Sequence, residues 1–290
     1  MSVRVGNYEI GPKQPLLVIA GPCVIESWEI IYNTATALKD LSAQLGFNLV
    51  FKASFDKANR TSFDSFRGPG LDFGLQMLGE IKNKLGLPVL SDVHETNQVS
   101  AAGDVLDIIQ IPAFLCRQTD LVVAAARTMK AVNIKKGQFV APLDILHSVK
   151  KVTAEGNNNV FVTERGTTFG YNNLVVDYRA FPMIQDHGVP LIFDATHSVQ
   201  LPSASGGISG GQRQYIPQLT RAALAAGAQG LFMEVHPNPD EAMSDAATQI
   251  PLAQAKEYLA QCVQLYNVVQ TFSEIKLPEK GQCAQPALAQ

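Results

Sequence analysis

Five cations stand just behind apolar runs in a chain that is acidic overall: Lys52, Lys57, Arg60, Lys136 and Arg165, in a sequence of net charge −3. Gathered at one place, they would call for a polyanion. Five are more than one phosphate usually recruits, so two phosphates, or a phosphate with a carboxylate, fit the number better. Gly166 and Gly170, flanking Thr167-Thr168, can let backbone N–H groups approach an oxyanion. A second set, Cys23, His197, Glu234 and Asp245, offers a thiolate, an imidazole and two carboxylates. That mixture suits Zn²⁺, Fe²⁺ or Mn²⁺ better than Ca²⁺ or Mg²⁺. Each residue also has a plainer reading, since a lone cysteine is commonly a small buried hydrophobe and lysines are commonly solvated loop residues. His94 and His236 are open in the same way, between substrate contact, a donor behind a ligand, and a satisfied core residue.

What would bring these residues together is a repeated unit. Short apolar, β-branched runs at 16–20, 48–52, 88–91, 107–111, 131–135, 160–163, 190–193 and 230–233 each precede a stretch with helical spacing. The helix-like stretches are 27–45, 72–85, 95–103, 117–129, 144–155, 174–187, 214–226 and 252–272. Eight such β/α pairs predict a (β/α)8 TIM barrel, with a doubly wound open sheet as the alternative. Continuous rather than alternating hydrophobicity in the runs fits parallel strands covered on both faces. In a barrel, chemistry collects where the strands end. Polar residues do fall there, from Gly21-Pro22-Cys23 and Lys52 through Asp92, His94, Gln110, Lys135-Lys136 and Glu164-Arg165 to Asp194, His197, Glu234 and His236. Residues 2–11 read as an N-terminal β-hairpin around Gly6-Asn7 that plugs the barrel's N-terminal end. The Gly/Ser-rich segment 203–211 reads as a mobile lid, residues 1–272 as one catalytic domain, and 273–290 as a flexible tail.

Composition closes off other classes. With 46% hydrophobic and 17% charged residues the chain is globular, and its charge gives no footprint for nucleic acid or an anionic membrane. No apolar run approaches the roughly 18–20 residues of a membrane helix, and the first residues carry no signal-peptide pattern, so a cytoplasmic protein is expected. Cys23, Cys116, Cys262 and Cys283 lack CxxC spacing and suggest no disulfide framework. No GxGxxG follows a strand and no GxxxxGK is present, so no nucleotide cofactor is expected.

Several blocks carry a resemblance: Ala20-Gly21-Pro22-Cys23-Val24-Ile25-Glu26-Ser27, Phe51-Lys52-Ala53-Ser54-Phe55-Asp56-Lys57-Ala58-Asn59-Arg60, Ile111-Pro112-Ala113-Phe114-Leu115-Cys116-Arg117-Gln118, Thr163-Glu164-Arg165-Gly166, Asp194-Ala195-Thr196-His197-Ser198 and Glu234-Val235-His236-Pro237. Together they resemble the 3-deoxy-D-manno-octulosonate 8-phosphate synthase family over about residues 16–272. The resemblance implies condensation of phosphoenolpyruvate with D-arabinose 5-phosphate, on the way to lipopolysaccharide, in a homotetramer. It implies that Lys52, Lys136 and Arg165 hold phosphoenolpyruvate, helped by Lys57, Gln110 and the Ala113 backbone. Asn59 and Arg60, with Thr61 or Ser62, would take the sugar phosphate. Cysteine rather than asparagine at position 23 resembles the metal-dependent class, which makes Cys23, His197, Glu234 and Asp245 a ligand set for Zn, Fe, Mn or Co; Asp92, His94 and Lys57 are left to manage protons. The related heptulosonate synthases, which use erythrose 4-phosphate, carry Lys-Pro-Arg-Thr where this chain has Lys57-Ala58-Asn59-Arg60. A non-catalytic sugar-phosphate sensor is the alternative from another class.

Overall fold

A computed structural model describes residues 3–60, 62–205, 208–273, 275 and 277. The chain opens with strands β1 (Val3–Val5) and β2 (Tyr8–Ile10), paired antiparallel with Val5 opposite Tyr8. Gly6 supplies the positive φ of 55° that the first central position of their two-residue turn requires. Then β3 (Leu17–Gly21), β4 (Asn48–Lys52), β5 (Val89–Asp92), β6 (Ile108–Ile111), β7 (Ala131–Lys135) and β8 (Val160–Glu164) follow, each parallel to its predecessor. After a small antiparallel pair, β9 (Thr167–Thr168) and β10 (Leu174–Val175), β11 (Leu191–Asp194) adds to β8. The hairpin β12 (Gln200–Ser205) and β13 (Ile208–Gly211) comes next, and β14 (Gly230–His236) then pairs with both β11 and β3. That double pairing closes an eight-stranded parallel barrel, extended at one point by β15 (Ile250–Pro251) beside β14. The predicted TIM barrel is the fold.

Among the described residues eight α-helices surround it: α1 (Trp28–Leu45), α2 (Leu71–Leu85), α3 (Val99–Val105), α4 (Thr119–Arg127), α5 (Leu146–Ala154), α6 (Ala180–Gln185), α7 (Ile216–Ala225) and α8 (Leu252–Val269). In α1 the Ser27 hydroxyl accepts from the Ile30 N–H, and Gly46 ends the helix in the left-handed conformation. Its buried face, Ile31, Thr34, Ala35 and Leu38, is a stripe at helical spacing. Two expected elements differ. A helix over 174–187 shrinks to α6, because Leu174-Val175 pairs with β9, the Asp177 side chain accepts from the Arg179 N–H, and Pro182 is confined to the first turn. The segment expected as a flexible lid is instead the β12–β13 hairpin, with Gln200 opposite Gly211; residues 206 and 207 lie outside the described residues. Most of the expected tail, and with it Cys283, also lies outside them.

Strand parity is what builds the site. Val18 and Ala20, Leu49 and Phe51, Val132 and Ile134, and Leu231 and Met233 face the helices and form the larger apolar layer. The other parity, Leu17, Ile19, Val50, Leu90, Ile108, Ala131, Phe161, Ile192 and Phe232, fills the lower barrel interior. Val3, Val5 and Ile10 of the hairpin are buried in that same cluster, so the hairpin seals the N-terminal end as expected. Two residues further along the inward parity the side chains turn polar: Lys52, Asp92, Gln110, Asn133, Thr163, Asp194 and Glu234, with Lys135 and Arg165 one step higher. On seven of the eight barrel strands the inward column is thus oily below and polar above. Gly21 holds that position on β3, where an added Cβ would lie 2.0 Å from the Lys52 carbonyl oxygen.

Candidate active site

Four chain segments bring the mixed ligand set together. Cys23 follows β3, Glu234 lies on β14, His197 sits in the turn after β11, and Asp245 is on the loop between β14 and β15. Donor atoms of Cys23, Glu234 and Asp245 all lie within 4.8 Å of one another. The Cys23 Sγ is 3.2 Å from Asp245 Oδ2 and 3.0 Å from Ser244 Oγ. His197 joins them through Nε2, 3.6 Å from Glu234 Oε1 and 3.7 Å from Asp245 Oδ2. Its orientation comes from behind: Asp194 takes the His197 backbone N–H at 2.9 Å and faces the ring Nδ1 at 2.8 Å. A proton on Nδ1 leaves the Nε2 lone pair directed at the cluster, the arrangement usual for metal-ligating histidines. Asp245 adopts φ 49°, and Gln249 anchors its loop by accepting from the Cys23 N–H and donating to the Ser244 carbonyl.

The electrostatics of this cluster ask for a cation. Burial, then the neighbouring Glu234, pushes the Cys23 thiol well above its ordinary pKa. Burial also works against ionisation of Glu234, but Lys52 and His197 outweigh it and hold the carboxyl low. Glu234 Oε2 is buried with no hydrogen-bond partner among the described residues. A sulfur, an imidazole nitrogen and carboxylate oxygens converging around an unsatisfied buried oxygen fit a divalent ion of the zinc, iron or manganese kind.

Beside the cluster lie the cations. Lys52 is buried, with Nζ 2.6 Å from Glu234 Oε1 and 2.8 Å from the Cys23 carbonyl. Arg165 Nη2 donates to the His197 carbonyl at 3.0 Å and to Gln200 Oε1 at 2.6 Å, while its buried Nε has no partner. Burial lowers the Arg165 pKa from its ordinary value. Lys136, expected here, is elsewhere: it has the helix-facing parity, and its Nζ donates to the Val140 carbonyl and Thr167 Oγ1 and lies 3.5 Å from Glu164 Oε2. The lysine inside the mouth is Lys135, which the sequence places at the strand end but to which no role was given. Its Nζ is 2.6 Å from Asp194 Oδ2 and 3.9 Å above the centre of the Phe232 ring. Burial lowers its pKa despite Asp194. The signal was available, because Ala131, Asn133 and Lys135 share one parity and Lys136 breaks it.

On the β4 and β5 side, Ser54 Oγ donates to Asp92 Oδ1 at 2.5 Å, and His94 Nε2 lies 2.9 Å from Asp92 Oδ2. Lys57 donates to Ser54 Oγ at 3.0 Å. Burial works against charge on all three ionisable groups, yet their mutual attraction wins: Asp92 lies well below the usual carboxylate range and His94 above its ordinary value. Lys57 is held above its own, by Cys23, Glu234, Asp92 and Asp245. Further out, Arg60 donates to the Phe66 carbonyl at 3.0 Å and the Met243 carbonyl at 3.3 Å. Asn59 and Ser62 are exposed on the same loop, and Thr61 lies outside the described residues. Gln110 is buried at the end of β6, and Ala113 begins the turn that follows. Besides Lys135, the sequence reading gave no role to Ser54, Asn133, Thr163, Asp194 or Gln249, whose partners are distant in sequence.

Comparison with known proteins bears on what this arrangement does. The profile of the DAHP synthetase I family matches residues 2–271. A 2-dehydro-3-deoxyphosphooctonate aldolase of Trichlorobacter lovleyi is 54% identical over 267 residues, covering 92% of this chain and 98% of the relative. Proteins with the same name from Syntrophotalea carbinolica and Protochlamydia amoebophila are 51% and 52% identical, covering 94% and 92% of this chain and 99% and 98% of theirs.

Proposed function

We propose that this chain, which belongs to the DAHP synthetase I family and to the 2-dehydro-3-deoxyphosphooctonate aldolases within it, condenses phosphoenolpyruvate with D-arabinose 5-phosphate and water. The products are 3-deoxy-D-manno-octulosonate 8-phosphate and inorganic phosphate, on the way to lipopolysaccharide. One observation carries the reading: Lys52, Lys135 and Arg165 are buried at the barrel mouth beside the Cys23, His197, Glu234 and Asp245 cluster. The name shared by the relatives favours this acceptor over erythrose 4-phosphate, in agreement with Lys57-Ala58-Asn59-Arg60.

In this reading Lys52, Lys135 and Arg165 hold the phosphate and carboxylate of phosphoenolpyruvate, and Gln110 donates from its amide. Lys136 supports them from behind, by pairing with Glu164, whose carboxylate takes the Gly166 N–H at 2.6 Å and fixes the turn that carries Arg165. Arg60 and Asn59 receive the sugar phosphate on the loop after β4. Holding two mutually repelling anions in attack geometry is the larger part of the work. The enol carbon attacks the aldehyde carbon, water adds to the neighbouring oxocarbenium-like carbon, and the resulting hemiketal loses phosphate by C–O cleavage. Lys57, kept protonated by its acidic neighbours, faces the charge that develops on the aldehyde oxygen. The Asp92–His94 pair holds the proton that this oxygen takes up. Cys23, His197, Glu234 and Asp245 would hold a divalent ion of zinc, iron, manganese or cobalt, which supplies Lewis acidity toward the aldehyde or the water.

Around the mouth, Lys52, Lys57, Lys135 and Arg165 face Asp92, Asp194, Glu234 and Asp245, four cations against four carboxylates. With Arg60 on the loop further out the cations outnumber these carboxylates, and a bound divalent ion would add to that balance toward two anionic substrates. Phe114, Phe139, Phe169 and Tyr171, exposed on the loops after β6, β7 and β8, support assembly into a homotetramer that covers them. No helix among the described residues is long and apolar enough to cross a membrane, in keeping with the expected cytoplasmic location. The test is phosphate release from phosphoenolpyruvate with arabinose 5-phosphate on chelator-treated protein, before and after Mn²⁺ or Zn²⁺ is added back. Activity should vanish and return. Release with erythrose 4-phosphate alone would overturn the assignment of the acceptor.

A further inference from the structure

We propose that Asn133 and Thr163 are positioning residues that decide which end of the Gln110 amide faces the barrel mouth, and so set the affinity for phosphoenolpyruvate. This rests on the reading of Gln110 as a contact of that substrate. The three side chains are buried on neighbouring strands, directly beneath the cations. Thr163 Oγ1 donates to Asn133 Oδ1 at 2.8 Å, and Asn133 Nδ2 donates to Gln110 Oε1 at 2.8 Å.

A carboxamide has one accepting end and one donating end. With its oxygen accepting from Asn133, Gln110 offers an anionic ligand its NH₂ group. That nitrogen has no protein partner among the described residues and is not among the fully buried unpaired atoms, so it opens to the mouth. Donors are what an anionic oxygen between Lys52, Lys135 and Arg165 needs. The ladder has a second, reversed state: Asn133 flipped, accepting from Gln110 Nε2 and donating to Thr163 Oγ1. In that state a carbonyl oxygen faces the anion. The hydroxyl proton of Thr163 selects between the two states. Among the described residues its only side-chain acceptor is Asn133 Oδ1, and reversal leaves that buried proton without one. Direction in the ladder therefore runs from a hydroxyl that touches no substrate to an amide that does.

The experiment is steady-state kinetics on the metal-loaded enzyme for Thr163→Val, Asn133→Ala, Gln110→Ala and the two double variants with Gln110→Ala. Thr163→Val keeps the shape of the side chain and removes the proton. The KM for phosphoenolpyruvate should rise roughly 3-fold in Thr163→Val and about 10-fold in Asn133→Ala, while kcat and the KM for arabinose 5-phosphate stay within about 2-fold. In the Gln110→Ala background neither change should raise that KM further, because the group they position is gone. Should Asn133→Ala fail to fold, Thr163→Val closes the same cycle. Effects that multiply with Gln110→Ala, or that raise both KM values alike, would overturn the ladder alone. If Gln110→Ala itself leaves the KM for phosphoenolpyruvate unchanged, the contact assigned to Gln110 is wrong and the proposal falls with it.

Discussion

Lys135 and Lys136 are adjacent in sequence and chemically identical, yet the barrel gives them opposite surroundings. Replacing each with methionine separates their roles. In K135M the mouth loses a cation that the proposed reading sets against phosphoenolpyruvate, and Asp194 keeps His197 as a partner at 2.8 Å. A hydrogen bond to a charged group contributes about 1.5–3 kcal/mol, which predicts a roughly 10- to 150-fold loss in kcat/KM for phosphoenolpyruvate. In K136M no substrate contact is lost, but Glu164 stays buried without its ammonium. Breaking a buried pair costs about 3–5 kcal/mol, or roughly 5–15 °C in Tm for a domain of this size. Burial already raises the Glu164 pKa, and removing Lys136 raises it further. A carboxyl whose folded pKa lies above its unfolded one keeps a proton that the unfolded chain releases. Its contribution is present below the unfolded value and is lost as pH rises through the folded one. The Tm deficit of K136M should therefore be small in acid and widen toward neutral pH. Melting scans over pH, with KM for phosphoenolpyruvate at neutral pH, make the comparison. A K136M enzyme that melts normally and binds phosphoenolpyruvate worse than K135M would refute the parity argument.

Other outcomes follow from the same geometry. Cys23→Ala should abolish metal retention by elemental analysis together with most activity, and a variant that kept both would remove Cys23 from the ligand set; Cys23→Asn tests whether chelator-resistant turnover can replace it. Asp194→Asn removes the charge and one of the two accepting oxygens behind His197 and should weaken metal affinity about 10- to 100-fold, read by competition with a chelating dye. Asp92→Asn should bring the His94 pKa down, since Asp92 holds it up against the effect of burial. The stabilisation from that pair is present below the unfolded histidine value and lost as pH rises through the raised one, so NMR titration of His94 in both proteins checks sign and cause. Deleting residues 1–11 exposes the lower interior and should cost several kcal/mol in denaturant melts, at about 1.5–3 kcal/mol for each of Val3, Val5 and Ile10; an unchanged midpoint would deny the hairpin its sealing role.

The barrel was legible because each strand is an unbroken apolar run and each is followed by helical spacing, a pattern that few other folds satisfy eight times. The polar residues at the strand ends were legible one by one. Their grouping was less so, because parity, not adjacency, decides which of two neighbouring residues looks inward. Lys136 was assigned to the mouth on adjacency; the alternation of Ala131, Asn133 and Lys135 points to the other lysine. Asp194, noted only as a strand-end residue, and Gln249 were given no role for a different reason. Each acts by holding another residue, and such a partner is named only by the fold. The helix expected over 174–187 overran because the apolar spacing of 174–176 suits a strand edge as well as a helix.

The hairpin that seals the lower end leaves, among the described residues, the strand-end mouth as the open side of the barrel. Lys52, Lys135 and Arg165 stand on or just past the strand ends, while Arg60 is held further out by the Phe66 and Met243 carbonyls. On the proposed reading the two anions would then sit one above the other, with the sugar phosphate nearer the solvent.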